Sequence, residues 1–339
     1  MANDNKKVLI VGAGGFIGGF IAKEGLRRGY KVWAGVRATT SRRYLDYKDL
    51  NFAIFDYDSP QSIANTLKSL LPEGERFDYI IYNLGATKCA NFLDFNRINF
   101  DYLRNFTQAL TDTDMVPERF LMMSSLSAVG PIAEDDYRPI TERDIPQPNT
   151  RYGVSKTKAE THLMSLPDFP YIIFRATGVY GPHEQDYLMM IKCIDRHFDF
   201  GVGFKKQLLT FIYVEDLVNA MYDALESGVK QRVYNIAEPR SYTQREFRSI
   251  VSKELGRKWV IPLKLPMWMV YVASSAAEQI GKLRMKPSTL NRDKYRILKQ
   301  RNWACSVEAA ERDFGFIVKY PLVDGVKATV AAYLDAKKK

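Results

Sequence analysis

The 339-residue sequence predicts an α/β fold, a doubly wound parallel sheet with a smaller C-terminal lobe. Three observations predict it. The short apolar run Val8-Leu9-Ile10-Val11 leads straight into the glycine turn Gly12-Ala13-Gly14-Gly15-Phe16-Ile17-Gly18, and a helical pattern through Phe20, Ile21, Ala22 and Leu26 follows. Further strand-like runs recur at 31–37, 54–58 and 119–123. The length exceeds that of a typical single domain, so one sheet plus a second lobe is expected.

A β-branched run of this kind reads as a strand buried on both faces of a parallel sheet. The helix that follows aims its unpaired N–H groups and the positive end of its dipole at whatever lies over the turn, and glycines let phosphates approach the backbone. Gly12, Gly15 and Gly18 are spaced G-x-x-G-x-x-G, because position 17 is Ile. Gly12, Gly15, Phe16, Ile17 and Gly18 are therefore candidates for holding a dinucleotide pyrophosphate.

The second strand, Lys31 to Arg37, bears on which dinucleotide. An acidic residue at its end would accept hydrogen bonds from the adenosine ribose and repel a 2′-phosphate. Here the strand ends in Arg37, followed by Thr39, Thr40, Ser41, Arg42 and Arg43. A guanidinium can clamp a phosphate through two hydrogen bonds, so NADP is favoured over NAD. The third strand, read as Ile54 to Asp58, brings Asp56 and Tyr57 to the adenine end, where Asp56 could accept from the adenine amino group. Asp58 fits a helix cap before Ser59-Pro60.

Tyr152 and Lys156 are four positions apart, so on a helix they share one face. A free tyrosine, with a pKa near 10, is a poor acid or base at neutral pH. A neighbouring ammonium stabilises the phenolate and brings proton transfer into range. Upstream, the buried run Arg119 to Met123 ends in Ser124-Ser125, with a turn at Gly130-Pro131. A strand-end hydroxyl can orient a substrate carbonyl, and Ser125 is favoured over Ser124 for that task.

With these residues in place the chain resembles the extended short-chain dehydrogenases/reductases, the superfamily of NAD-dependent epimerases and dehydratases, dihydroflavonol reductases and 3β-hydroxysteroid dehydrogenases. The resemblance covers nearly the whole chain and implies a Rossmann-type sheet with a substrate-binding C-terminal lobe. It assigns catalysis to Ser125, Tyr152 and Lys156, and implies that Tyr152 and Lys156 also contact the cofactor, Lys156 through the nicotinamide ribose. The segment Asn99 to Asn105 is similar to the family's N-V-x-G-T-x-N, with Tyr102-Leu103 replacing Gly-Thr, which implies that Asn99 supports the lysine or a bound water. Phe174 to Pro182 resembles R-x-x-x-V-Y-G-P, so Ala176, Thr177 and Gly178 are implied to line the nicotinamide. Tyr82-Asn83-Leu84-Gly85-Ala86-Thr87 stands where the family commonly has H-x-A-A. Gly85 and Ala86 are small enough to keep the backbone close to a cofactor, and Leu84 beside them and Ser124 join that set.

Two segments bear on the branch of the family. Phe211 to Asp216 resembles F-I-H-V-D-D, but the Arg-Asp that usually precedes it in nucleotide-sugar enzymes is Leu209-Thr210 here. Lys205 and Lys206 could compensate for the missing phosphate ligand. The tail, from Ile261-Pro262-Leu263 through Lys286-Pro287 to Asn302-Trp303, is similar to dihydroflavonol-reductase-like and 3β-hydroxysteroid-dehydrogenase-like members. The leading expectation is therefore an NADP-linked carbonyl reductase or alcohol dehydrogenase for a fairly apolar small molecule. A nucleotide-sugar epimerase or dehydratase with tightly bound NAD is the alternative, and a non-catalytic NADP-binding protein the third.

Composition bounds the rest. The net charge of +10 raises a nucleic-acid partner, but Lys and Arg are spread along the chain without a basic stripe interleaved with aromatics. Cys89, Cys193 and Cys305 cannot all pair, and the first strand begins almost at once, so a cytoplasmic enzyme is expected. Neither the cysteines nor His162, His183 and His197 fall at metal-ligand spacing. The run Leu265 to Ala277 is the most apolar, yet shorter than a spanning helix needs. A helix packed beside the substrate cleft is favoured there over contact with a membrane surface. Residues 1–180 are expected to form the dinucleotide-binding domain, with 208–236 returning to it. Residues 181–207 and 237–339 would make the smaller lobe, and the chain could pair as a homodimer.

Overall fold

The computed structural model describes residues 6–89, 91, 93–283 and 290–338. The chain begins as its first residues dictate: β1 (Lys7–Val11) enters the glycine turn and α1 (Phe16–Arg27) leaves it. β2 (Lys31–Val36), β3 (Leu50–Ile54), α2 (Pro60–Leu70) and β4 (Tyr79–Tyr82) complete the first half. α3 (Leu93–Asn96) continues through a π-helical turn, Arg97–Asp101, into α4 (Tyr102–Asp112). β5 (Arg119–Ser125), α5 (Arg151–Ser165) and β6 (Tyr171–Ala176) form the second half.

β7 (Gly178–Tyr180), α6 (Asp186–Asp195) and β8 (Phe198–Val202) then leave the sheet. β9 (Phe211–Tyr213), α7 (Val214–Glu226) and β10 (Arg232–Ile236) come back towards it. α8 (Gln244–Glu254), β11 (Ile261–Leu265), α9 (Met267–Leu283), α10 (Arg292–Lys299), α11 (Glu308–Phe314) and α12 (Leu322–Lys338) finish the chain.

The main sheet has seven strands in the order β10-β6-β5-β4-β1-β2-β3, and every pairing is parallel. Alternation along a strand sends successive side chains to opposite faces. Val8 and Ile10 of β1 accordingly join one core with Val32, Leu121 and Phe174, while Leu9 and Val11 join the other with Ile80, Phe120 and Ile173. Two cores on two faces are what a doubly wound sheet requires. The winding order reverses at β1, which pairs with β2 on one side and β4 on the other, the point where a doubly wound sheet carries its crevice beyond the carboxyl ends of the strands.

Gly12 sits in that crevice at φ +82°, and a Cβ there would lie 2.7 Å from the Leu84 backbone. Gly18 lets α1 close onto the turn, since a Cβ would come within 2.3 Å of the Ala13 carbonyl oxygen. Gly12→Ala is expected to destabilise the fold by about 1–2 kcal/mol for the left-handed backbone alone. The Leu84 contact should displace the turn and weaken dinucleotide binding at the same time. Thermal melting and a cofactor titration check this; an unchanged melting temperature with unchanged affinity would contradict it.

Four expectations differ in detail. The third strand ends at Ile54 rather than Asp58, although Phe55 N still donates to Val36 O at 2.9 Å. Asp58 does not cap α2; Ser59 does, accepting from Ser62 N at 3.2 Å with Pro60 in the first turn, where its missing N–H costs nothing. Asp58 instead holds Arg97 and accepts from the Tyr102 hydroxyl at 3.2 Å. The segment around α11 does not join the smaller lobe: Cys305, Val307, Ala310 and Phe316 belong to the main-sheet core that holds Val8 and Ile10. The lobe has its own core of Ile191, Phe211, Phe247, Val251, Val326 and neighbours.

The apolar run at 265–277 departs furthest. A packed helix beside the substrate cleft is expected here, and α9 does bury Val270, Ser274 and Glu278, but it leaves Trp268, Val272 and Ile280 exposed. Glu278 accounts for this, because its carboxylate accepts from Arg292 N at 3.0 Å at the start of α10. No helix of the described residues is long and apolar enough to cross a membrane.

Candidate active site

Register brings the strand ends to one edge of the sheet. Val11 pairs with Gly35 and Tyr82, and Ser125 pairs with Ala176, so the residues that follow each strand share one rim. The glycine turn is fastened by Gly12 N and Ala13 N, which donate to Gly35 O at 3.0 and 3.2 Å. Gly15 is the residue before α1 and offers no side-chain cap, and the first turn of α1 carries no acid. The N–H groups of Phe16 and Ile17 therefore have no intrahelical acceptor, and Gly15 stands open to solvent. This is a fit for a pyrophosphate, with the dipole of α1 behind it.

Arg37 is exposed at the end of β2, and its backbone N–H donates to the Thr40 hydroxyl at 3.0 Å. Among the described residues its guanidinium makes no ion pair or hydrogen bond. Arg42 and Arg43 are engaged differently, lying 4.2 Å over the Phe52 ring and 4.4 Å over the Tyr44 ring. Asp56 stays exposed on the same rim while accepting from Asp58 N at 3.1 Å. Tyr57 is buried beside Arg37; burial raises its phenol and the Arg37 charge opposes the rise.

α5 carries the tyrosine and lysine, and its N-terminus is held twice. Thr150 accepts from Gly153 N at 2.9 Å. Asp293, reaching over from α10, accepts from Arg151 N at 2.9 Å and Tyr152 N at 3.3 Å. Gly153 presses the helix onto the tight 3-10 turn Leu126–Ala128, since a Cβ would meet the Ser127 carbonyl at 2.3 Å. These contacts set Tyr152 beside Ser125, whose hydroxyl accepts from Ser127 N at 3.2 Å. Burial pushes the Tyr152 phenol up to about 12, with the Ser125 hydroxyl opposing and the Glu160 charge adding to the rise.

One turn on, Lys156 is buried and donates to the Met123 carbonyl at 2.8 Å. Burial lowers it to about 8, and Glu160 opposes that fall. Gly85 lies directly against the ammonium: a Cβ there would be 3.0 Å from Lys156 Nζ and 3.1 Å from Asn99 Oδ1. The loop after β4 is held in place by Asn99, which accepts from Ala86 N at 2.8 Å. The Asn99 amide also donates to Ala86 O at 3.1 Å and to the Ser155 hydroxyl at 2.9 Å. Asn99 thus clamps the loop to α5 from inside the π-helical turn. Ala176, Thr177 and Gly178 follow β6 on the same rim, and the buried Thr177 hydroxyl has no hydrogen-bond partner among the described residues.

Ser124 is the predicted residue whose hydroxyl points elsewhere. It donates to Glu160 in the core, where Arg175 also meets the carboxylate, through Nε at 3.1 Å and Nη2 at 2.7 Å. Tyr152, Lys156 and Glu160 recur every fourth position, so a buried ion pair underlies the lysine on the same helix face. The sequence carried that signal in the i+4 spacing of Glu160. Asp293, which lies 141 positions from Tyr152, left none.

The arrangement can bind a dinucleotide along the rim and move a proton at the Tyr152 hydroxyl. Among the described residues no cluster of His, Cys, Asp or Glu could hold a metal ion. Residues 8–237 match the NAD dependent epimerase/dehydratase family, and the chain belongs to it.

Among curated relatives, a UDP-N-acetyl-alpha-D-glucosaminuronate decarboxylase of Bacillus cytotoxicus is 28% identical over 249 residues, covering 68% of this chain and 74% of that protein. A dTDP-D-glucose 4,6-dehydratase of Mus musculus is 25% identical over 68% of each chain. A decarboxylating sterol-4-alpha-carboxylate 3-dehydrogenase of Dictyostelium discoideum is 20% identical over 79% of this chain and 83% of its own.

Solved structures share the fold. UDP-glucose 4-epimerase of Thermotoga maritima, with UDP-glucose bound, superimposes with a TM-score of 0.77 at 18% identity over 98% of this chain and 99% of its own. RMD from Pseudomonas aeruginosa complexed with NADPH gives 0.71 at 16% over 98% and 99%.

Proposed function

We propose that the protein is an NADP-linked oxidoreductase that interconverts a carbonyl and an alcohol on a fairly apolar small molecule. The observation that carries this reading is the convergence of Ser125, Tyr152 and Lys156 beside the loop that Asn99 clamps. When bound, the nicotinamide supplies the hydride donor or acceptor. Ser125 fixes the substrate oxygen, Tyr152 gives or takes its proton, and Lys156 holds the nicotinamide ribose and supplies positive charge that opposes the burial of the phenol. Gly12, Gly15, Phe16, Ile17 and Gly18 hold the pyrophosphate, Arg37 the 2′-phosphate and Asp56 the adenine. Leu84, Gly85, Ala86, Ala176, Thr177 and Gly178 line the nicotinamide end. The smaller lobe, 181–207 with 237 onward apart from the segment around α11, supplies the substrate side, and the protein works in the cytoplasm.

Reduction needs the proton on Tyr152 and the charge on Lys156. The phenol keeps its proton up to about 12, whereas the ammonium loses its own as pH rises through about 8. Carbonyl reduction, followed as kcat/KM, should therefore fall above about pH 8. A profile that stays flat to pH 10 would contradict that role for Lys156. A screen of carbonyls with NADPH tests the reaction itself, and turnover that requires Tyr152 supports it.

A second reading, a nucleotide-sugar epimerase or dehydratase holding NAD, is favoured by the names of the decarboxylase and dehydratase relatives. Two features weigh against it. Leu209 and Thr210 stand where a phosphate ligand would be needed; Leu209 N donates to Tyr242 O at 2.8 Å and the Thr210 hydroxyl to Trp303 O at 2.6 Å. The turn Leu126–Ala128 after Ser125 also carries no carboxylate or imidazole to protonate a departing hydroxyl, which weighs against dehydration though not against epimerisation. Copurified NAD and a thermal shift with a UDP- or GDP-sugar would establish this second reading over the first.

A further inference from the structure

α9 is built inside out, and it adjoins a sheet face of the same character. Along α9, Trp268, Val272, Ala276 and Ile280 recur every fourth position and are all exposed, Trp268 by 68%. The polar residues Ser274 and Glu278 are buried on the opposite side with Val270. A surface helix ordinarily turns its apolar stripe to the core. The two-stranded ribbon β8–β11 repeats the pattern: Phe198 pairs with Ile261 and Phe200 with Leu263, all four exposed. On the other side of β8, Asp199 is buried and bonded to Gln244 and Arg248. Gly203 N donates to Leu265 O at 2.9 Å, and a Cβ on Gly203 would meet Met267 Sδ at 3.3 Å, so the ribbon runs directly into α9. Monomeric soluble proteins rarely leave so much contiguous apolar surface uncovered.

The charges say what covers it. Across 196–206 and 257–281 the exposed charged residues Arg196, Lys205, Lys206, Lys258 and Lys264 are all basic. The two acids in these stretches, Asp199 and Glu278, are buried and engaged. A second copy of the chain would bring the same positive rim against this one, at a repulsive cost. An anionic bilayer meets both requirements, since its surface attracts lysines while its interface accepts Trp and Phe rings. We propose that the β8–β11 ribbon and the outward face of α9 dock on an anionic lipid surface. The docking is peripheral, because no described helix can span. It is independent of the reaction proposed above.

Flotation of the full chain with phosphatidylcholine vesicles, with and without phosphatidylglycerol, tests this. Binding is expected only with the anionic lipid, weakening as salt rises. The pair Phe200→Glu and Leu263→Glu should abolish it, and Lys258→Glu with Lys264→Glu should reduce it about tenfold or more. All four residues are exposed, so NADPH affinity should be unchanged in both variants. Melting temperature should fall only slightly in the apolar pair, whose new carboxylates stand opposite each other across the ribbon, which separates lost docking from lost folding. Absence of binding to either vesicle would overturn the proposal. So would binding that ignores both charge reversal and the Phe200→Glu, Leu263→Glu pair. A concentration-dependent dimer in sedimentation that this apolar pair disperses would also overturn it, assigning the face to a second copy.

Discussion

Tyr152→Phe is expected to lower turnover by about 10²–10⁴-fold, the contribution a positioned acid or base makes, while leaving NADPH affinity nearly intact. The variant removes one oxygen from a helix that Thr150 and Asp293 hold at its N-terminus, so α5 should keep its place. The phenyl ring still fills the space facing Phe95, whose ring centroid lies 6.4 Å from that of Tyr152. Loss of rate without loss of binding is the signature of a group acting only in the transition state. Parallel NADPH titration and steady-state kinetics check this, and wild-type turnover in the variant would remove Tyr152 from the mechanism.

The second large effect concerns cofactor choice. Wild-type protein is expected to bind NADPH roughly tenfold or more tightly than NADH, since about 1.4 kcal/mol from a charge-assisted phosphate contact is a factor of ten. Arg37→Ala should remove most of that preference by weakening NADPH and sparing NADH. Arg42→Ala and Arg43→Ala should do less, because those guanidinium groups already rest on the rings of Phe52 and Tyr44. Equal titration curves for the two cofactors with wild-type protein would return Arg37 to a solvated side chain and strengthen the NAD-holding alternative.

The parts legible in the sequence are those whose signal is local. The glycine turn between a strand and a helix, and the four-residue spacing of Tyr152 and Lys156, each fit in one short window. The doubly wound parallel class of the sheet followed from the alternation of strand and helix patterns, whereas the strand order came only with the fold. What stayed hidden depends on distant partners. Asp293 holds the catalytic helix from α10, Asn99 clamps the loop after β4 to Ser155, and Arg175 neutralises Glu160 beneath Lys156.

The same holds for errors of orientation. Both Ser59 and Asp58 are good helix caps, and the choice was made by Arg97, 39 positions away, which draws Asp58 off. The apolar run at 265–277 was visible as apolar, but which side faces the protein was set by Glu278 and its bond to Arg292 N. The expected effect of Lys156 on Tyr152 also looks different in the fold. Burial dominates both groups, raising the phenol and lowering the ammonium, while the lysine is turned to the Met123 carbonyl.

The central claim is net oxidoreduction, and it is tested most directly by counting cofactor against product. With NADPH, a carbonyl substrate and wild-type protein, absorbance of the reduced cofactor should fall by one equivalent for each alcohol formed, and Tyr152→Phe should abolish that fall. Product formed with no net change in the reduced cofactor would contradict the account and identify an enzyme that regenerates its cofactor in every cycle.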